Sequence, residues 1–463
     1  MAPQLTGSAS QSFTTVLDPY MPIFYVSFFV TLILTPLMRR LAHQHGVIDM
    51  PDNKRKVHSQ PIAYLGGVAT FLGWLAGVCV SMGISPHIHA DITVTQTVSI
   101  PPGVLIGAAL VALFGLLDDV YSLAPRLKLT GQLLAAMALI LPGAFHFGYD
   151  PFLKAGESGR PGSGVGWMLA QGLDRVTTSA AHGGIIDYVN HSQFWGISGA
   201  ALVANAIPFL SGVFAIAVIF STCNACNLLD GLDGLCSGVT GVMSLGYLIL
   251  SLYLATGVMN ISSAAGSEVD PVRITLSLAL LGAVLGFLPY NFNPASIFMG
   301  DTGSMFLGFM CGVMILLFGQ DGIFRWFLGS LVIFGLPMMD TLLAIIRRKL
   351  NGKPIFSPDS NHFHHFLIRQ GFSVKRAVLL SYAIAATFVS FALVIVVIPT
   401  RIAMGVYLIL FGWLIVIAFK MGMIYTAKKP EPVNASINAS VITVDARPEK
   451  PSLLSEREAV AAK

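Results

Sequence analysis

GVLIGAALVALFGLLDD, residues 103–119, runs fifteen positions without a charge and then sets two aspartates side by side. A stretch of that length and greasiness is what a helix needs to cross a bilayer. Asp118 and Asp119 follow it without a break, so at least one of them starts at interface depth. Carboxylates there are costly unless a cation, a metal or water compensates them. Two aspartates that merely close a helix are a weak explanation, because the last helical turn disfavours negative charge. A Mg2+-linked or phosphate-linked role fits the pair better.

The rest of the chain has the same solvent. Of 463 residues, 54% are apolar and only 11% charged, and the mean hydropathy is +0.74, far from a soluble balance. Windows of about 20 apolar residues fall at 21–41, 61–82, 102–120, 130–148, 208–228, 237–258, 273–290, 303–319, 325–346, 376–397 and 402–421. The expected fold is therefore all-α and polytopic, with about eleven transmembrane helices. The first window lacks a charged leader and a cleavage pattern, and is read as a retained span.

An odd number of spans puts the termini on opposite sides. The C-terminal side then holds 21 of the 27 Lys and Arg residues, and 17 even without the tail after Lys429. The positive-inside rule makes that side cytoplasmic and the N-terminus external. The expected organisation is a short external segment at 1–20, a membrane-embedded domain at 21–426 with an external Gly- and Ser-rich insertion at 149–207, and a disordered cytoplasmic tail at 427–463.

The same parity gathers the polar motifs on the cytoplasmic face. Asn224, Asn227, Asp230 and Asp233 recur every three residues behind an apolar span, which places neighbours in the series on nearly one helix face. Gly231 and Gly234 suggest that the helix is broken or tightly packed there. Amides beside carboxylates suit a diphosphate and its metal: Asn supplies donors, and Asp accepts metals. Cys223 and Cys226 form a CxxC without a second pair, and are read as packing residues rather than zinc ligands.

In NFNPASIFMGDTGS (291–304), Asn291 and Asn293 can satisfy backbone or substrate groups. Gly300 and Gly303 let main-chain N–H groups approach a charged ligand, while Thr302 and Ser304 suit a helix cap. Asp301 is read as a Mg2+ ligand, since an anion at a phosphate-binding helix start repels its own ligand unless a cation intervenes. His362, His364 and His365 follow Asp359 in the longest cytoplasmic gap. With no cysteine or HExxH beside them, they are read as donors to a nucleotide diphosphate, at least one of them structural.

These motifs together resemble the polyprenyl-phosphate N-acetylhexosamine-1-phosphate transferases, membrane enzymes of the glycosyltransferase family 4 type. The resemblance rests on DNKRKVHSQPIAYLGG (52–67), GLLDDVYSLAPRLKLTGQ (115–132), NACNLLDGLDGLCSG (224–238), NFNPASIFMGDTGS (291–304) and LPMMDTLLAIIRRKLNGKPIFSPDSNHFHHFL (336–367), in that order. It implies eleven spans and transfer of a sugar 1-phosphate from a UDP-N-acetylhexosamine to undecaprenyl or another polyprenyl phosphate, releasing UMP. It also implies a bacterial inner-membrane location with a cytoplasmic active site, and no nucleic-acid partner; a homodimer is compatible with it. By the resemblance, Asp301 binds Mg2+, with Mn2+ as a substitute and Asn227 as a candidate further ligand. Asp118 and Asp119 handle the lipid phosphate, and Lys56 and His58 join the Asn, Asp and His residues above in substrate binding. Tyr64 stands where many relatives carry Arg. Ser360 and Phe366 replace basic residues common around the histidine motif.

The forms IAYLGG and HFHH are unlike the muramoyl-pentapeptide branch and point to a UDP-N-acetylglucosamine-type donor. That branch remains the nearest alternative. An intramembrane prenyltransferase would be expected to show two DDxxD-type motifs, whereas Ser122 breaks the one diad and the second cluster is rich in Asn. A transporter would favour interrupted spans near the midplane.

Overall fold

Each of the eleven apolar windows holds a helix in the described part of the structure, a computed structural model. The described residues are 13–50, 61–83, 98, 100–140, 193–194, 197–256, 269–319, 324–354 and 362–420. Lys56, His58, the tail from 427 and most of the 149–207 insertion lie outside them.

The helices are α1 (Phe13–Leu17), α2 (Met21–His45), α3 (Gly66–Ser81), α4 (Pro102–Tyr121), α5 (Pro125–Ile140), α6 (Gly199–Leu229) and α7 (Leu235–Thr256). They continue with α8 (Asp270–Asn291), α9 (Gly300–Gly319), α10 (Phe324–Ile333), α11 (Gly335–Leu350), α12 (Phe363–Arg369), α13 (Val374–Val397) and α14 (Thr400–Lys420). Two short antiparallel ribbons accompany them: β1 (Ile48–Asp49) with β2 (Ile62–Ala63), and β3 (Gln193–Phe194) with β4 (Ile197–Ser198).

The protein is a multi-pass membrane protein. Seven of its described helices are long and apolar enough to cross a bilayer, and eight if α10 and α11, which meet at a 75° bend, count as one. Part of the difference from eleven is geometric. Helix α3 has 16 residues, about 24 Å at 1.5 Å per residue, against a hydrocarbon core of about 30 Å. Helix α6 also starts earlier than its window, at Gly199, so the end of the expected insertion is helical.

The core is organised around α9, which is buried along its whole length and packs against α3, α4, α6 and α10. Backbones approach it closely at glycines. A Cβ on Gly67 of α3 would strike the main chain of Gly303, and one on Gly115 of α4 would strike that of Thr302. Phe306 fills the gap above, edge-on to Phe71 and Trp74 with ring centroids 5.5 and 5.3 Å away. A second set of small residues joins α2, α3 and α8: Gly73, Gly77, Gly282 and Gly286 all meet Ser27 or Thr31 on α2. Such small-residue seams are what helices in lipid use in place of a hydrophobic drive to associate.

Charged groups hold α9 at both ends. At its C-terminal end the buried Arg273 of α8 pairs with Asp270 at 2.7 Å and donates to the Leu317 carbonyl at 2.6 Å, lying over the Phe318 ring. A cation suits that end of a helix dipole. At the N-terminal end the incoming segment is stitched by main-chain bonds. Phe298 N–H donates to Ala63 O at 2.8 Å, and Gly66 and Gly67 N–H donate to Phe298 and Met299 carbonyls at 3.0 and 2.9 Å. The polar segment 291–299 is thereby fixed against the start of α3 before α9 begins.

Candidate active site

Five chain segments meet at the N-terminal end of α9. Asp118 and Asp119 sit in the last turn of α4, which closes at Ser122 in a left-handed conformation. Adjacent helical positions do not share a face, and the two carboxylates have different partners. Asp119 turns to α9. One of its oxygens accepts Asp301 N–H at 2.8 Å; the other accepts Thr302 N–H at 3.0 Å and the Thr302 hydroxyl at 2.6 Å. It is an N-cap supplied by another helix, and the dipole of α9 compensates the charge that the end of α4 disfavours. Gly300, with φ of +70°, allows this: a Cβ there would run into the Asp119 carboxylate. The charged group that Gly300 admits is thus a side chain of the protein itself.

Asp118 turns the other way, to Lys128 of α5 at 2.7 Å. The same Lys128 ammonium bonds Asp301, so one cation joins two carboxylates from α4 and α9. The other Asp301 oxygen accepts Asn227 Nδ2 at 2.7 Å, and that amide also donates to Ser304 Oγ at 3.1 Å. Asn224, one turn earlier, instead donates to Gln132 of α5 at 2.7 Å and to its own helix.

The helix breaks where the Asn and Asp repeat predicts. Helix α6 ends at Leu229, and residues 230–234 form a turn before α7. Asp233 holds the 291–299 segment in place, accepting from Asn293 Nδ2 at 2.9 Å and Ala295 N–H at 3.0 Å. From behind, the Tyr382 hydroxyl of α13 donates to Gly234 O at 2.5 Å. The Asp230 carboxylate has no hydrogen-bond partner among the described residues, while its main-chain N–H donates to Cys226 O at 3.2 Å. Burial, and then the charges of Asp301, Asp119 and Asp233, push its pKa up to about 8. Three acids around a fourth, with Lys128 bonded to two of the site's carboxylates, leave a region that favours an added cation.

The histidines close the other side of that turn. His364 packs against Gly231, where a Cβ would overlap its ring. It is buried, neither ring nitrogen has a hydrogen-bond partner among the described residues, and burial pushes its pKa down to about 3. It is therefore a neutral ring at ordinary pH. His362 is buried as well, stacked on His364 at 5.8 Å, and His365 alone of the three is half-exposed. Tyr64 lies on the opposite rim, edge-on to Phe298. Burial, Asp49, Asp119 and Asp301 raise its pKa, so it is a neutral phenol beside the carboxylates.

The donor set fits a hard divalent cation of the Mg2+ type. Two carboxylates from different helices converge on one positive charge and all the neighbouring donors are oxygen or amide groups, while Mg2+ takes much of its shell from water and substrate phosphates. Among the described residues, no group of three or more His, Cys, Asp or Glu side chains forms a metal cage. The four cysteines of the interior, Cys223, Cys226, Cys236 and Cys311, are free and buried.

The glycosyl transferase family 4 model matches residues 101–319, the stretch that supplies Asp118, Asp119, Lys128, Asn227, Asp230, Asp233 and Asp301. A probable undecaprenyl-phosphate N-acetylglucosaminyl 1-phosphate transferase of Bacillus subtilis is 31% identical over 88% of this chain and 93% of its own length. The chain belongs to glycosyl transferase family 4. A decaprenyl-phosphate N-acetylglucosaminephosphotransferase of Mycolicibacterium smegmatis is 29% identical over 76% of both chains. A phospho-N-acetylmuramoyl-pentapeptide-transferase of Moorella thermoacetica is 31% identical, but over only 37% of this chain and 48% of its own.

Two residues that organise this end of the bundle were not singled out from the sequence. Lys128 lay within a recognised motif but counted only as a basic residue on the cytoplasmic side. Asp340, described below, had a signal of its own: it is a lone acid within the apolar run LPMMDTLLAII.

Proposed function

We propose that this protein transfers N-acetylglucosamine 1-phosphate from a UDP-sugar to undecaprenyl or another polyprenyl phosphate, releasing UMP, at the cytoplasmic face of a bacterial inner membrane. The carrying observation is the junction of Asp118, Lys128 and Asp301 at a helix-bundle end, where lipid phosphate can come from the bilayer and nucleotide from water. The relatives' names supply the sugar and the lipid class.

In this reading Asp301 and Asp118 are the residues that would hold Mg2+. The ion supplies polarisation of the phosphorus under attack and neutralisation of the leaving nucleotide. Asn227 orients Asp301 through its amide. Lys128 is the cation that meets the phosphates. Asp119 positions the site by fixing α9 and leaves the contact with lipid phosphate to Asp118. That phosphate is already largely ionised near neutral pH, its second pKa being about 6, so Asp118 need not be a strong base.

Protein purified in detergent, given polyprenyl phosphate, Mg2+ and a panel of UDP-N-acetylsugars, is expected to release UMP only when lipid and Mg2+ are both present. The UDP-N-acetylglucosamine arm should be the most active. A muramoyl-pentapeptide preference would move the donor to the neighbouring branch. Inorganic diphosphate from a prenyl diphosphate, with no UMP from any donor, would overturn the reaction.

Eleven spans with the N-terminus outside complete the proposal, and place residues 43–60 and 347–375 in the cytoplasm and 149–207 outside. In a Cys79→Ser background, Asp359→Cys should react with an impermeant maleimide only after cells are permeabilised. Labelling in intact cells would reverse the topology.

A further inference from the structure

Asp340 lies in α11, inside the bent pair of helices, and is 2% exposed. A buried carboxylate in such a setting needs partners, and both of its oxygens have them. Oδ2 lies 2.9 Å from His362 Nδ1, and Oδ1 accepts the Phe363 main-chain N–H at 2.8 Å. The second bond falls at the first residue of α12, so Asp340 is a cap for that helix reached from 23 positions upstream. The first bond sets the imidazole: with Nδ1–H donating to the carboxylate, Nε2 is left as the nitrogen without a partner among the described residues. A histidine that binds through one nitrogen is commonly aimed and tuned by such a carboxylate on the other.

What Asp340 holds is the histidine stack. His362 lies parallel to His364 within 5°, His364 and His365 are 4.3 Å apart, and His364 rests on Gly231 beside Asp230. Helix α12 has seven residues and no cap from its own side chain at His362. Its placement against the 230–234 turn therefore depends on Asp340, much as the start of α9 depends on Asp119.

We propose that Asp340 is a positioning residue for the sugar-phosphate transfer, acting through His362 by fixing its ring with one oxygen and the start of α12 with the other. The proposal rests on the transferase reading above, and the test separates the two. Asp340→Asn is expected to lower kcat for UMP release by roughly 10- to 100-fold, with KM for the lipid little changed and the melting temperature largely kept. In a His362→Ala background the same substitution should change kcat by less than about two-fold, because the pair acts as one unit. Asp340→Glu, which keeps the charge, should recover part of the loss, and it replaces Asp340→Asn in the cycle if the amide variant does not fold. Histidine 15N spectra of the wild type should show Nδ1 protonated on one ring, with that signal altered in Asp340→Asn.

Losses that multiply in the double variant, or a histidine spectrum indifferent to Asp340→Asn, would overturn the proposal. A wild type that releases no UMP would instead sink the transferase reading, while the spectra would still decide whether Asp340 sets His362.

Discussion

Asp301→Asn should leave a folded, membrane-inserted protein whose turnover falls by on the order of 10³-fold or more, the scale of losing a group that stabilises transition-state charge. The substitution is nearly isosteric. The Asp301 main-chain N–H stays bonded to Asp119, and an amide oxygen can still accept from Asn227, so the start of α9 is retained. What disappears is the negative charge facing Lys128 and Asp118. Rate against Mg2+ concentration, with thermal melting as the control, measures the effect. The residual activity should need more Mg2+ than the wild type. Substantial activity at an unchanged Mg2+ requirement would return Asp301 to a purely structural place in the first turn of α9.

The two aspartates after the first quoted run show how far sequence reading carries. Their depth and cost were legible, because an apolar stretch of fifteen residues fixes where they start. Their division of labour was not. Consecutive residues on a helix point about 100° apart, and nothing local says that one direction meets the open N-terminus of α9 and the other meets Lys128. The break at Gly231 was legible from composition, and the turn at 230–234 bears out the expectation of a broken helix. The assignment of Gly300 and Gly303 to an incoming ligand was not sound, since the approaching groups are the Asp119 carboxylate and the backbone of α3.

Other contacts were hidden for the same reason. Asn293 and Asp233 looked like separate ligand donors, yet they bond each other across 60 positions of chain. Pairing of that kind is decided by packing, and the sequence shows only that both residues are polar. Lys128 was hidden by a good rule: a basic residue on the cytoplasmic side is what topology demands, so its charge drew no attention. One of the eleven expected spans is short. Helix α3 is apolar enough to be noticed, but its 16 residues depend on neighbours, through the glycines facing α2 and α9, more than on its own reach.

Asp119→Ala is expected to behave in the opposite way to Asp301→Asn. It strips the acceptor from two main-chain N–H groups and one hydroxyl at the first turn of a helix that is buried throughout. Loss of a cap costs about 0.5–2 kcal/mol, and each buried donor left unpaired about 1–3 kcal/mol. The terms overlap, so a net loss of about 2–4 kcal/mol is expected, visible as a clear drop in melting temperature in detergent. Turnover should fall with it, because Asp301 sits on the turn that loosens. Asp119→Asn should fall between wild type and Ala: one oxygen can still accept, while its NH2 faces a main-chain N–H. Substrate or Mg2+ should recover little of the lost stability, since the damaged bonds lie behind the ligand-facing side. If Asp119→Ala instead melts like the wild type and yet is inactive, the carboxylate is a group that touches substrate, and the division of labour between Asp118 and Asp119 proposed above is wrong.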